Sequence, residues 1–314
     1  MKRLYGGVAL LMAGIAAASL GITALLGHYR TRQEEGFAVV ASFYPMYTAA
    51  LQVAGGIDGV TVSCLTQPQT GCLHDYQLSP EEMIALKGAD LLVLNGAGAE
   101  SFLSSALSQL PDLRVADTAQ GIALLEGGGL EHEHGEEESG GDHHHTVNEH
   151  IWMSPARYAR QVENLRDALM EADPAHAEDY RVNAENYLEK IREIEARAAR
   201  LASSLKGLDC VTFHDSAAYL AADLSLHVTA ALSIGEDSGA SAGELAAAAD
   251  AVRGRNVLLL YDAQYPVAYA YLADYAASSR TVILDTAVKP AEGTAPSERW
   301  LAAMDANLSA LENR

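Results

Sequence analysis

Short runs of β-branched and apolar residues alternate with helical patterns over most of the chain. The runs predict strands at Phe37–Ser42, Val60–Cys64, Leu91–Asn95, Leu113–Asp117, Cys210–His214, Leu226–Ala230, Val257–Tyr261 and Thr281–Asp285. Helical patterns lie between or after them at Tyr47–Ala54, Pro80–Lys87, Glu100–Gln109, Ala242–Val252, Pro266–Ala277 and Ser297–Asn313. Such alternation is typical of a mostly parallel sheet covered by helices on both faces. Two sets of four strands therefore predict two α/β lobes.

A different kind of segment separates the two sets of strands. Ala156–Ala172 has an apolar helical face, and Asp173-Pro174 then break and restart the helix. Downstream, apolar residues recur at alternating spacings of four and three, at Tyr180, Ala184, Tyr187, Ile191, Ile194, Ala198, Leu201 and Leu205. A coiled-coil dimer has the same pattern. Alanine at two of these positions favours one long, stiff helix of roughly 45 Å that packs against both lobes.

The length of the chain also favours two domains, because 314 residues exceed one ordinary hydrophobic core. The predicted organisation is a signal or membrane anchor at residues 1–32, an N-terminal α/β lobe at 33–172, a connecting helix at 173–206 and a C-terminal α/β lobe at 207–314.

The N-terminus indicates export. Lys2-Arg3 precede an uncharged, mostly apolar run from Leu4 to Leu26, which is long enough to span a bilayer. The run predicts either an uncleaved anchor or a signal that is removed. His28 stands where a bacterial lipoprotein would carry its lipidated cysteine, so lipidation is not predicted. In either case the rest of the chain is expected outside the cytoplasm, anchored to the membrane or secreted or periplasmic after cleavage.

Two cysteines lie close together in sequence, Cys64 and Cys72. In an exported protein they are a candidate disulfide, which would stabilise the fold by roughly 2–3 kcal/mol in the chain-entropy model. Their spacing is too long for the usual zinc knuckle, although a pair of thiols or a thiolate metal pair remains the alternative.

A Gly-, Glu- and His-rich segment, Glu126–Glu149, interrupts the N-terminal lobe and is called the acidic histidine tract below. Its histidines are His132, His134, His143, His144 and His145. Imidazole and carboxylate side chains suit zinc and neighbouring divalent metals, so the tract predicts a weak accessory metal site; a solvated loop is the alternative. The net charge of -21 excludes nucleic acid as a partner, because phosphates require clustered Lys and Arg.

Isolated histidines fall near predicted strand ends, where open α/β sheets bind their ligands. His74 follows the second strand, His214 ends the first strand of the second lobe, and Asp285 ends the last strand. His150 follows the acidic histidine tract and precedes a predicted helix. Three imidazoles and one carboxylate converging on a cleft would suit Zn²⁺ better than Ca²⁺ or Mg²⁺. Spacing alone does not establish the site, because a lone histidine at a strand end is more often a hydrogen-bonding residue.

A family resemblance adds to this interpretation. It rests on Ser42-Phe43-Tyr44-Pro45-Met46-Tyr47, the segment from His74 to Pro80, Glu149-His150-Ile151-Trp152-Met153-Ser154-Pro155, His214-Asp215 with Tyr219, Asp285, and Asp173-Pro174 with Tyr180 and Asn183. From Ala38 to the C-terminus, the chain resembles the metal-binding proteins of ABC importers, the ZnuA-like cluster A-I solute-binding family. The resemblance implies two α/β lobes, a connecting helix, a metal ion in the cleft and an importer permease as partner.

The resemblance also implies individual roles. By position, His74, His150 and His214 look like metal ligands, and Asp285 looks like the fourth ligand or the partner of a ligand water. Manganese-type members carry Glu in place of the third His, so His214 points to zinc as the cargo. The acidic histidine tract lies where zinc-specific members carry a His-rich loop. Asp262 departs from the pattern, which has Glu there.

The predicted function is therefore extracytoplasmic capture of Zn²⁺ and its delivery to an ABC importer. A manganese- or iron-binding protein of the same class is the nearest alternative. A zinc hydrolase would also use three histidines and an open position, but no His-Glu-x-x-His motif or clear general base accompanies them. A metal-binding adhesin of the same fold is the remaining alternative.

Overall fold

The computed structural model describes residues 36–66, 73, 76–127, 147–232, 234, 239–265 and 270–313. The strands are β1 (Phe37–Ala41), β2 (Val60–Cys64), β3 (Leu91–Leu94), β4 (Arg114–Asp117), β5 (Asp209–Thr212), β6 (His227–Ala231), β7 (Asn256–Asp262) and β8 (Ser278–Leu284). The α-helices are α1 (Tyr44–Ala54), α2 (Pro80–Lys87), α3 (Ser104–Leu107), α4 (Pro155–Ala172), α5 (Ala177–Leu205), α6 (Ala218–Asp223), α7 (Ala242–Val252) and α8 (Arg299–Glu312). Short 3-10 turns lie at Ser101–Leu103, Ile151–Met153, Pro174–His176, Asp215–Ala217, Ala270–Asp274 and Pro296–Glu298.

The strands form two four-stranded sheets, with the orders β2-β1-β3-β4 and β6-β5-β7-β8. Neighbouring strands within each sheet run parallel. Both sheets have the same arrangement, in which the first strand of the lobe lies in the interior beside the third. The predicted fold of two α/β lobes with parallel four-stranded sheets is confirmed.

Both faces of each sheet are apolar, as a parallel sheet requires. In β7, Leu258 and Leu260 face one cluster of buried residues, whereas Leu259 and Tyr261 face another. This division follows from the geometry of a strand, in which successive side chains point to opposite faces. The unbroken apolar run in the sequence of β7 is the signature of a strand buried on both sides.

The connecting helix is one continuous element that serves both lobes. Its 29 residues correspond to a length of about 44 Å. Tyr180 and Tyr187 belong to the core of the N-terminal lobe, while Leu201 and Leu205 belong to a core of the C-terminal lobe. The prediction of a single long helix packed against both lobes is confirmed, and the apolar spacing reflects this intramolecular packing.

The last helix, α8, crosses between the lobes. It follows β8 of the C-terminal sheet, but its Trp300 lies in the core of the N-terminal lobe. The indole is 0% exposed, stacks on Tyr158 with ring centroids 4.1 Å apart, and donates a hydrogen bond to the Trp152 carbonyl at 2.8 Å. Arg197 of α5 also bridges to Asp305 of α8 at 2.6 Å. The two lobes are therefore joined by two packed helices.

Several predicted helices differ from the structure in their bounds; the predicted Ser297–Asn313, for example, is α8 at Arg299–Glu312. α1 begins at Tyr44, three residues before the predicted start. Pro45 fits in its first turn because the N–H groups there have no partner within the helix, so the missing N–H of proline costs no hydrogen bond. The predicted helix at Glu100–Gln109 is instead a 3-10 turn followed by the short α3, since the Glu100 side chain folds back to bind the ends of β1 and β3. Of the predicted helix at Pro266–Ala277, residues 270–277 are described, and they form the 3-10 turn Ala270–Asp274 followed by non-helical residues.

Several predictions concern residues outside the described ranges. The N-terminal segment at residues 1–32 is among them, and no helix within the described ranges is long and apolar enough to cross a bilayer. Cys72 is also outside these ranges, so the pairing with Cys64 stays a prediction. The Cys64 thiol donates to the Thr66 carbonyl at 3.3 Å.

Candidate metal centre

The candidate centre lies where the carboxyl ends of strands in the C-terminal lobe meet a loop of the N-terminal lobe. His214 follows β5 by two residues, and Asp262 is the last residue of β7, the strand beside β5. His150 comes from the other lobe, directly before the 3-10 turn that leads into α4. Each lobe thus contributes one imidazole.

The structure brings His150 and His214 together. Their ring centroids are 5.0 Å apart with nearly perpendicular planes, and each residue is 7% exposed. The His150 ring also contacts Trp152 at 5.2 Å, and the His214 ring stacks on Tyr265 at 4.9 Å. Two imidazoles at this separation can direct one nitrogen each towards a shared ion, and the aromatic neighbours exclude water from their faces.

The protein approaches His214 from its Nδ1 side. The Ser216 amide donates to Nδ1 at 3.1 Å, and Oδ2 of Asp262 lies 3.8 Å from the same nitrogen. The Asp262 carboxylate is itself held by the Ser216 hydroxyl at 2.7 Å and the Gln264 amide at 2.8 Å. Burial raises the pKa of Asp262, although these hydrogen bonds oppose the shift. This side of the ring therefore belongs to the supporting structure, and Nε2 is the metal-facing candidate.

His150 is supported in a similar way by Asn148. The side-chain oxygen of Asn148 lies 3.0 Å from Nδ1 of His150 and accepts a hydrogen bond from the His150 amide at 2.9 Å. The Asn148 side chain also donates to the Asp215 carbonyl, next to His214, at 2.8 Å. Nε2 is again the metal-facing candidate.

Asp285 directly follows β8, and its carboxylate faces an arginine. Nη2 of Arg299 donates to its two oxygens at 2.6 and 2.8 Å, and the Ala287 amide donates to Oδ1 at 2.9 Å. Asn307 binds both the amide and the carbonyl of Asp285. Across the described ranges, the side chains of His, Cys, Asp and Glu form no group of three or more placed to hold a metal ion. Of the three predicted ligands within the described ranges, His150 and His214 lie side by side, and Asp285 is engaged by Arg299.

The remaining predicted ligands lie outside the described residues. They are His74 in the first lobe and the accessory residues His132, His134, His143, His144 and His145. Residues at or near both ends of the acidic histidine tract are described: Glu126 and Val147 form an antiparallel bridge. This bridge places the start and the end of the tract side by side.

The positions of Asp262 and Glu100 in the structure that supports the histidine pair were not predicted from the sequence. The position of Asp262 at the end of β7, beside the strand that leads to His214, was the available signal. Glu100 accepts hydrogen bonds from the Ser42 hydroxyl and the Asn95 backbone amide, both at 2.7 Å. Burial raises the pKa of Glu100 to about 7, although these hydrogen bonds lower it. Asn95 in turn donates to the Glu149 carbonyl at 2.9 Å, which supports the residue before His150.

The chain is similar to known proteins whose names describe metal binding. It is 30% identical over 305 residues to the zinc-binding lipoprotein AdcA of Streptococcus pneumoniae, covering 94% of this chain and 59% of that protein. It is 33% identical over 191 residues to the iron-binding protein YfeA of Yersinia pestis, covering 60% of this chain and 56% of that protein. The chain thus spans about three fifths of the length of these relatives.

Solved structures show the same fold. Zn(II)-bound AdcA from S. pneumoniae superposes with a TM-score of 0.67 at 25% identity, covering 89% of this chain and 58% of that chain. A crystal structure of ZnuA superposes with a TM-score of 0.65 at 23% identity, covering 88% and 100%. The model of the family described as zinc-uptake complex component A, periplasmic, matches residues 39–314. The resemblance inferred from the sequence is therefore confirmed, and the chain belongs to the ZnuA family.

Proposed function

We propose that this protein captures Zn²⁺ outside the cytoplasm, between its two lobes, and delivers it to an ABC importer. The observation that carries the proposal is the pairing of His150 and His214, one from each lobe, with ring centroids 5.0 Å apart. Family membership and the zinc-binding relatives support it. The zinc hydrolase considered from the sequence is not retained, because the relatives and structural neighbours are binding proteins and not enzymes.

The proposed ligands are His74, His150 and His214, bound through neutral imidazole nitrogens. In the structure the Ser216 amide donates to Nδ1 of His214, which places the ring proton on Nε2. Ligation through Nε2 requires that proton on Nδ1 instead. Asp262, whose Oδ2 lies 3.8 Å from Nδ1, is proposed to accept that proton once the Ser216 amide no longer donates to Nδ1. A carboxylate that orients a ligating histidine in this way is common in zinc sites.

Asp285 is proposed as the fourth ligand or as the hydrogen-bonding partner of a ligand water. Its salt bridge with Arg299 uses one lone pair on each carboxylate oxygen, and the Ala287 amide uses a second one on Oδ1, so one acceptor position remains on Oδ2. A carboxylate has about four acceptor positions, so the salt bridge is compatible with either role. The positive charge of Arg299 reduces the electron density on these oxygens, which favours the water-mediated role over direct ligation.

Zinc is preferred over manganese and iron on donor chemistry. Imidazole nitrogen suits zinc, whereas manganese sites are richer in carboxylate and water oxygen. Because one relative is an iron-binding protein, manganese or iron binding in the same class of protein is the second candidate function.

The acidic histidine tract is proposed as a weaker accessory zinc site, and the N-terminal segment as the membrane anchor or cleaved signal. An adhesin with the same metal site is a further alternative.

Deletion of the gene in its native host tests zinc import directly. We expect growth in zinc-chelated medium to fail in the deletion strain and to recover when zinc is added, because high-affinity capture is lost while low-affinity uptake remains. Restored expression of the wild-type protein, but not of a variant lacking both His150 and His214, should also rescue growth. Rescue of the deletion strain by manganese or iron and not by zinc would contradict the proposal and favour the second candidate.

A further inference from the structure

We propose that Asn148 is a positioning residue that presents His150 to the metal and ties it to the loop carrying His214. This inference rests on the zinc-binding function proposed above. Asn148 contacts the protein on both sides of the lobe junction through one short amide side chain. Its role follows from which atoms those contacts require to be donors and acceptors.

Backbone partners fix the orientation of the Asn148 amide. The His150 amide N–H can only donate, so the atom 2.9 Å from it must be the side-chain oxygen Oδ1. The Asp215 carbonyl can only accept, so the atom 2.8 Å from it must be the side-chain nitrogen Nδ2. The two assignments agree. A flipped amide would place a donor against the His150 N–H and an acceptor against the Asp215 carbonyl.

This orientation determines the tautomer of His150. Oδ1 of Asn148 lies 3.0 Å from Nδ1 of His150, and an amide oxygen accepts but cannot donate. A neutral His150 therefore carries its proton on Nδ1, which leaves the Nε2 lone pair as the one that can bind a metal ion. A hydrogen-bonded partner at the second ring nitrogen is the feature that orients ligating histidines and raises their basicity.

Asn148 is also anchored through its backbone. Its N–H donates to the Leu125 carbonyl at 2.8 Å, and its carbonyl accepts from the Tyr219 hydroxyl at 2.7 Å. The Leu125 amide donates to the same hydroxyl at 3.0 Å. Asn148 is 1% exposed, so water does not replace these partners. Leu125 belongs to the N-terminal lobe, and Tyr219 and Asp215 to the C-terminal lobe, so the residue fixes the two imidazoles relative to one another.

Two substitutions separate the contacts of Asn148. Asn148→Ala removes both side-chain contacts, and we expect the zinc Kd to rise by about 10–100-fold. Asn148→Asp keeps an oxygen towards His150 but places a carboxylate oxygen against the Asp215 carbonyl. We expect this variant to melt at a lower temperature than wild type while its zinc Kd stays within about fivefold, since the histidine keeps its acceptor. Chelator competition gives each Kd, and thermal unfolding of the metal-free full chain gives each melting temperature.

Asn164→Ala is the matched control. Asn164 also donates through its side chain to two backbone carbonyls, those of Thr118 and Gln120, at 2.8 and 2.9 Å, without contacting either histidine. We expect it to lower the melting temperature and leave the zinc Kd unchanged. An effect of Asn148→Ala on Kd no larger than that of Asn164→Ala would overturn the inference. If Asn148→Ala does not fold, Asn148→Asp decides alone: a zinc Kd within about fivefold of wild type supports the positioning role, and a larger loss refutes it.

His150→Ala distinguishes failure of this inference from failure of the proposed function. If His150→Ala abolishes tight zinc binding and Asn148→Ala does not weaken it, the site is correct and only the positioning role is wrong. If His150→Ala leaves tight binding intact, the proposed site itself is wrong, and the inference falls with it.

Discussion

Replacing His214 with Ala should weaken tight zinc binding by more than about 100-fold. Loss of a residue that merely orients a ligand already costs about 10–100-fold in metal affinity, and loss of the ligand itself should cost more. His214 is 7% exposed and its ring lies beside that of His150, so the substitution removes one of two buried, paired imidazoles. The measurement is zinc competition against a chromophoric chelator of known affinity, at a pH where neutral imidazole predominates.

His227→Ala provides the control for this result. His227 lies in the same lobe, and its Nδ1 contacts Asp209 at 2.7 Å, but its side chain is largely exposed. We expect its zinc Kd to match that of wild type. A His214→Ala protein that is folded, as judged by circular dichroism, and still binds zinc as tightly as His227→Ala would refute the assignment of His214 as a ligand.

Replacing Trp300 with Ala should lower the free energy of unfolding by about 3–5 kcal/mol. The substitution removes a fully buried indole, leaves a cavity beside Tyr158, and deprives the Trp152 carbonyl of its hydrogen-bond donor. Because Trp152 itself donates to the Thr286 carbonyl at 2.8 Å, the change also loosens the junction between the lobes. Urea unfolding of the metal-free protein measures the effect.

Two further variants calibrate the Trp300 result. Trp300→Phe keeps most of the ring but lacks the N–H, so we expect a smaller loss of about 1–3 kcal/mol. Ile84→Ala changes an exposed side chain and should stay within about 0.5 kcal/mol of wild type. If Trp300→Ala were no more destabilising than Ile84→Ala, α8 would not join the lobes as described.

Periodicity in the sequence predicted most of the fold. β7 is an unbroken apolar run, which indicates a strand buried on both faces, and α2 begins at Ser79-Pro80 with the capping pattern that marks a helix start. The apolar spacing along α5 predicted the long helix because burial of one helical face repeats every three or four residues. These features are local, so a single sequence contains them.

The environment of the candidate site depends on contacts that the sequence does not encode locally. Asn148 meets Asp215 across 67 positions, and Asp262 reaches Ser216 across 46 positions. Arg299 pairs with Asp285 across 14 positions, and no local pattern marks Arg299 as its partner. Such pairs depend on how the strands and loops assemble in three dimensions. The family resemblance could indicate the histidines by position, but it did not reveal the residues that orient them.

We expect tight zinc binding to reside in the interlobe histidine site and not in the acidic histidine tract. The most direct test is a zinc titration of wild type and of a variant in which residues 128–146 are replaced by a short Gly-Ser linker. The bridge between Glu126 and Val147 places the two ends side by side, so the deletion can be closed without moving Asn148 or His150. We predict that the variant keeps one tight zinc ion and loses the weaker ones. Loss of the tight ion in this variant, together with its retention in His150→Ala and His214→Ala, would contradict the account.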